Sequence, residues 1–79
     1  MPEAPMPLSN LPPGRSGVVA ELQVPVESQA RLLEMGLLVG TQVEVVRFAP
    51  LGDPVEIKIR GYHLSIRKHE ADLILVRPR

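Results

Sequence analysis

The sequence contains no cysteine, and one phenylalanine and one tyrosine are its only aromatic residues. Without thiols neither a disulfide framework nor a thiolate metal site can be built, and nothing points to an oxidising compartment. Long apolar runs are missing as well. The uncharged apolar stretches extend for only a few residues, which excludes a membrane-spanning helix. The opening Met1-Pro2-Glu3-Ala4-Pro5 has neither the basic nor the apolar region of a signal peptide. The expectation is therefore a cytoplasmic protein with no direct membrane insertion. Two aromatics are too few to line a groove for proline-rich peptides or to stack the bases of a single strand.

Net charge is also absent, since nine basic residues balance nine acidic ones. The balance is uneven along the chain. Up to Val46 there are two basic and five acidic residues, and from Arg47 onward seven basic and four acidic. This layout either orients the protein on a charged partner or forms an ordinary mixed surface. Arg60, Arg67, Lys68, Arg77 and Arg79 would be the members of any basic strip. Zero net charge and the missing aromatics argue against nucleic acid as the partner.

What is present is aliphatic. Apolar residues make up 44% of 79 positions, enough for one core. A domain of this size buries only roughly 60% of the surface its unfolded chain exposes, so modest stability is expected. Prolines at 2, 5 and 7 leave residues 1–7 as a flexible tail, with the domain running from 8 to 79. Val18 to Val24, following Gly17, reads as a first strand after the turn-forming Ser9-Asn10-Leu11-Pro12-Pro13-Gly14. Val26, Ala30, Leu33 and Leu37 then recur at helical spacing, which predicts a short helix with these residues on its buried stripe. Gly36 should end it, with Leu37 folding back as the apolar partner of the cap.

Gln42 to Ala49 is the next strand, and its paired Val45-Val46 breaks alternation, as a bulge would. Pro50-Leu51-Gly52-Asp53-Pro54 connects it to Val55, Ile57 and Ile59, which alternate with charged residues. After Gly61 the alternation resumes with Tyr62, Leu64 and Ile66 on one face and His63, Ser65 and Arg67 on the other. Lys68 to Asp72 suits one helical turn before a last strand at Leu73 to Val76. The expected fold is mainly β: a small barrel of about five strands, with a short helix after the first and a helical turn before the last.

Four blocks in order carry a family resemblance: Arg31-Leu32-Leu33-Glu34-Met35-Gly36-Leu37; Gly40-Thr41 with Val43 and Val45; Ala49-Pro50-Leu51-Gly52-Asp53-Pro54 with Glu56 and Ile57; and Arg60-Gly61-Tyr62 with Leu64 to Lys68, Glu70 and Ala71. Together they resemble the ferrous iron transport protein A (FeoA) family over Leu8 to Val76. The resemblance implies an SH3-like barrel and an accessory role beside the membrane ferrous-iron permease that carries a GTPase domain. Val39 departs from the family, which usually has proline there. A related SH3-like module fused to metal-dependent transcriptional repressors is the alternative reading. That reading predicts a DNA-binding helix-turn-helix in the same chain or a tight partner, and only one short helix is available here.

His63 and His69, with Glu70 and Asp72, have the chemistry for ferrous iron but not a spacing that gathers two ligands on one surface. No metal site and no cofactor is assigned. Ser9, Ser16, Ser28 and Ser65 show no nucleophile-base spacing, and there is no phosphate loop, so no catalytic residue is named and no enzyme is expected. The candidate partner-binding residues are Leu38 and Val39 after the helix, Leu51 at a loop tip, and the outward Arg60, His63 and Arg67. Leu51 either meets a partner or packs back onto the barrel. Self-association through edge strands is also open.

Overall fold

The computed structural model describes residues 4–79. Its strands are β1 (Met6–Pro7), β2 (Ser16–Leu22), β3 (Gln42–Phe48), β4 (Val55–Ile59), β5 (Tyr62–Ile66) and β6 (Ile74–Pro78), and its helices are α1 (Val26–Glu34) and α2 (Lys68–Ala71). All six strands join one antiparallel sheet in the order β1-β6-β2-β3-β4-β5. One more strand is present than expected. Met6 and Pro7, placed in the tail from the sequence, pair with Val76 and Leu75 of β6. A proline is tolerated there because an edge strand can spare its N–H. The remainder of the expected tail includes residues 1–3, which lie outside the described residues.

Register shifts bend the sheet around a single core. One lies between Val19 and Glu21 in the β2–β6 pair, and another between Val45 and Arg47 in the β3–β4 pair. Each extra residue increases local twist, which lets a sheet of short strands curl over its own inner face. The second shift occurs at the Val45-Val46 pair, where alternation breaks in the sequence. Val43, Val45, Val55, Ile57, Ile59, Ile66, Ile74 and Val76 line the inner face and are buried together.

The helix stripe differs from the expectation. Val26 and Leu33 are exposed, Leu33 by 43%, while the neighbouring Leu32 is fully buried and is the only buried residue of α1. The start of the helix sets this rotation. The Gln29 amide nitrogen donates to the carbonyls of Val24 (3.0 Å) and Leu22 (3.3 Å), turning the face shared by residues 29 and 32 toward the barrel. At the other end Gly36 has φ +98°, Leu37 N–H donates to Leu32 O and Gly36 N–H to Leu33 O. This is a Schellman cap, and its apolar contact joins Leu37 to Leu32, both fully buried.

Candidate partner-binding surface

Leu38 and Val39 occupy the turn between α1 and β3. The turn is rigid at the backbone: Leu38 N–H donates to Gly36 O, Thr41 N–H to Leu38 O, and Gly40 N–H to Val19 O at 2.8 Å. Their side chains are left outside, with Val39 64% exposed. A groove of about 430 Å³ borders this turn, lined by Gly40, Thr41, Gln42, Glu44, Lys58, Arg60 and Gly61. It brings Arg60, in the β4–β5 turn, to the same end of the barrel as Val39.

The other end holds Leu51 and Arg67. Leu51 is 96% exposed at the tip of the β3–β4 connection and does not pack back onto the barrel. Asp53 in the same connection accepts a hydrogen bond from Lys68 N–H (3.0 Å), which ties the loop to the start of α2. Arg67 precedes α2 and is exposed. It lines a second groove of about 430 Å³ with Arg31, Pro54, Ser65, Ile66 and Glu70. His63 lies between the two ends, exposed on β5 opposite Lys58. The six candidates therefore form two groups at opposite ends of β5, with His63 on the strand that joins them.

Three features of the surface were not anticipated. Tyr62, expected on the inner face, is 46% exposed, and its hydroxyl donates to the Met35 carbonyl, fastening the β4–β5 turn to the end of α1. Glu70 is buried to 3% exposure and pairs through Oε2 with Arg31 of α1, while its Oε1 accepts the Arg67 N–H at 3.3 Å. The spacing Arg67-x-x-Glu70 carries this second bond, the return half of a capping box, and was the available sequence signal. Ser9 donates to Asp72, and this hydroxyl holds the Asp72 carboxyl below its ordinary range against an opposing desolvation, with smaller help from Lys68 and His69.

On the outer face Arg47 Nε meets Glu56 Oε1 at 2.6 Å across the β3–β4 pair, which raises the pKa of the guanidinium. Such an exposed pair adds little stability. Among the described residues no three His, Asp or Glu side chains come together as a metal-binding group. No described helix is long and apolar enough to cross a membrane.

The model of the FeoA domain matches residues 6–78, from the first residue of β1 to the last of β6. The chain belongs to the FeoA domain family. A curated relative from Porphyromonas gingivalis (strain ATCC BAA-308 / W83) is an Fe(2+) transport protein A/Fe(2+) transporter FeoB fusion protein. It is 38% identical over 71 residues, which make up 90% of this chain and 8% of that protein. The solution structure of the FeoA protein from Chlorobium tepidum superposes with a TM-score of 0.88 at 38% identity, covering 92% of this chain and 70% of that one. A manganese-dependent transcriptional repressor in complex with manganese superposes with a TM-score of 0.89 over 98% of this chain and 38% of its own. At 15% identity it shares the fold alone. The FeoA fold is thus the expected SH3-like barrel, here with six strands.

Proposed function

We propose that this FeoA domain is a cytoplasmic interaction module that docks on the ferrous-iron permease and adjusts its GTP hydrolysis, assembly or gating. The observation that carries the reading is the P. gingivalis relative, in which a FeoA sequence and FeoB share one chain. Fusion turns an encounter between two modules into an intramolecular event with a high effective concentration. The surface is consistent with contact, because exposed Val39 and Leu51 lie at its two ends beside the basic Arg60 and Arg67.

Size sets how the partner is met. A standard interface removes about 800 Å² from each partner, roughly a sixth of the 4770 Å² that this domain exposes. One such footprint is large enough to take in Leu38, Val39, Arg60 and His63, or His63, Arg67 and Leu51. The test is co-purification of the domain with the permease or its GTPase domain, paired with iron uptake in a strain lacking the domain. Association and reduced uptake are expected. No association together with unchanged uptake would refute the proposal.

A further inference from the structure

The β4–β5 hairpin determines which backbone groups of the sheet are left over. Arg60 and Gly61 both have positive φ, 48° and 87°, and form a two-residue turn. In such a turn the flanking Ile59 and Tyr62 are a hydrogen-bonded pair. Alternation along an antiparallel ladder then makes Ile57–Leu64 and Val55–Ile66 bonded pairs as well. His63 and Ser65 therefore direct their N–H and C=O groups away from β4. β5 is the terminal strand of the sheet, and among the described residues neither His63 nor Ser65 has a backbone partner on that side. Both residues are exposed. An edge of this kind is a template for one more strand.

The charge around the edge selects what can pair with it. From Ile57 to His69 the chain carries four basic residues and no acidic one. Arg60 stands at one end of β5 and Arg67 at the other, with Lys58 facing His63 between them; the one carboxylate in the β4–β5 pair, Glu56 opposite Ser65, is engaged by Arg47. At the Ser65 end the edge runs into the groove shared by Arg31, Arg67 and Glu70. Both oxygens of Glu70 are already engaged, one by Arg31 and one by the Arg67 N–H, while the Arg67 guanidinium has no ion-pair partner among the described residues. Two guanidinium groups against one occupied carboxylate leave the groove positive. A second copy of the chain would set this basic segment against itself, so like charges oppose self-pairing.

We infer that β5 is a docking edge for an extended acidic segment of a partner protein, which adds as a seventh strand through His63 and Ser65 and places a carboxylate between Arg31 and Arg67. Strand addition draws affinity from main-chain bonds and specificity from alternate side chains, and here the specificity is for acid. The inference rests on reading the domain as a partner-binding module, and adds how the partner is held.

An experiment with a synthetic peptide separates the two, because the permease is left out. The probe is an acetylated alternating Glu-Val peptide of about eight residues, the length of a short strand, titrated into isotopically labelled full-length chain and followed by NMR. The His63 and Ser65 amides should shift and exchange with solvent at least about tenfold more slowly, with exchange reporting the free energy of local opening. The double variant Arg60→Glu/Arg67→Glu should weaken binding by at least about tenfold, and raised salt should weaken it too. Ser65→Pro, which removes one edge donor, should abolish the His63 protection while the dispersed spectrum of the folded chain remains. Equal binding of the Lys-Val counterpart, tighter binding of single-stranded DNA, edge pairing between two copies, or unchanged exchange at His63 and Ser65 would each overturn the inference. If the permease still co-purified in that case, the proposed function would stand and only the edge would fall.

Discussion

Gly36 is the residue at which the fold and the exposed turn depend most closely on each other. Its φ of +98° favours glycine, and a Cβ built there would lie 3.0 Å from the Tyr62 hydroxyl and 3.3 Å from Ile59 Cδ1. Gly36→Ala therefore has two separable costs. Holding an L-residue in the left-handed region costs about 1–2 kcal/mol. Displacing the Tyr62 hydroxyl from the Met35 carbonyl forfeits a hydrogen bond with a net worth of about 1 kcal/mol. Their sum is about 2–3 kcal/mol. At about 4–8 °C per kcal/mol for a domain of this length, the melting temperature should fall by roughly 10–20 °C. The assay is urea unfolding of four proteins: wild type, Gly36→Ala, Tyr62→Phe and the double variant. Because phenylalanine lacks the crowding oxygen, Gly36→Ala should cost about 1 kcal/mol less in the Tyr62→Phe background than in wild type. Equal cost in both backgrounds would refute the contact argument, and a total below about 1 kcal/mol would refute the backbone argument as well.

Two further predictions concern the small elements packed beneath β6. Glu70→Ala removes the partner of Arg31 and the acceptor of the Arg67 N–H, and should cost about 1–3 kcal/mol in chemical denaturation, discounted because Arg31 is half solvated. Glu70→Gln, which keeps a carbonyl acceptor, should lose less. Asp72 provides a pH test of definite sign. Its folded carboxyl is held below the ordinary value of 3.8, chiefly by the Ser9 hydroxyl, so its stabilising contribution is present above that value and is lost as pH falls through the folded pKa. Thermal unfolding of wild type and Ser9→Ala should show wild type ahead at about pH 7 and the two converging in strong acid. A gap that widened below about pH 4 would show the assigned cause to be wrong.

Period-two strands were the most legible part of the chain. Val55, Ile57 and Ile59 alternate with charged neighbours and all three are buried, so register and inner face follow from the pattern. The helix was harder because only one of its residues reaches the core. With Leu32 and Leu33 adjacent, hydropathy does not say which points inward, and the Gln29 amide bonds to the chain before the helix decide it. β1 was hidden by its proline and its two-residue length, since its pairing is earned by β6 and not by its own sequence. The burial of Glu70 was hidden for a related reason. A carboxylate in a polar turn reads as solvated until the fold brings Arg31 across from a residue 39 positions earlier. Arg60, His63 and Arg67 were read as outward and are exposed, whereas for Leu51 the sequence left packing back onto the barrel open; the division of the six candidates between two ends of the barrel depends on strand order, which periodicity does not contain.

Strand order also gives the uneven charge of the chain a location. The acid-rich first half supplies β1, β2, α1 and most of β3, while the basic second half supplies β4, β5, α2 and also β6, which carries Arg77 to the other side of the sheet. Because β4 and β5 are the last two strands of the sheet, Lys58, Arg60 and Arg67 gather toward that edge. A cross-strand row makes the gradient explicit: Glu44 on β3 faces Lys58 on β4, which faces His63 on β5. In this row Lys58 has Glu44 as its complement on one side, and His63, the outermost member, faces no acidic residue. A neutral domain thus presents an unbalanced margin. Its reach in solution is about 8 Å at physiological ionic strength, far enough to orient an acidic partner before contact but too short for the opposite side of a domain 32 by 28 by 23 Å to cancel it.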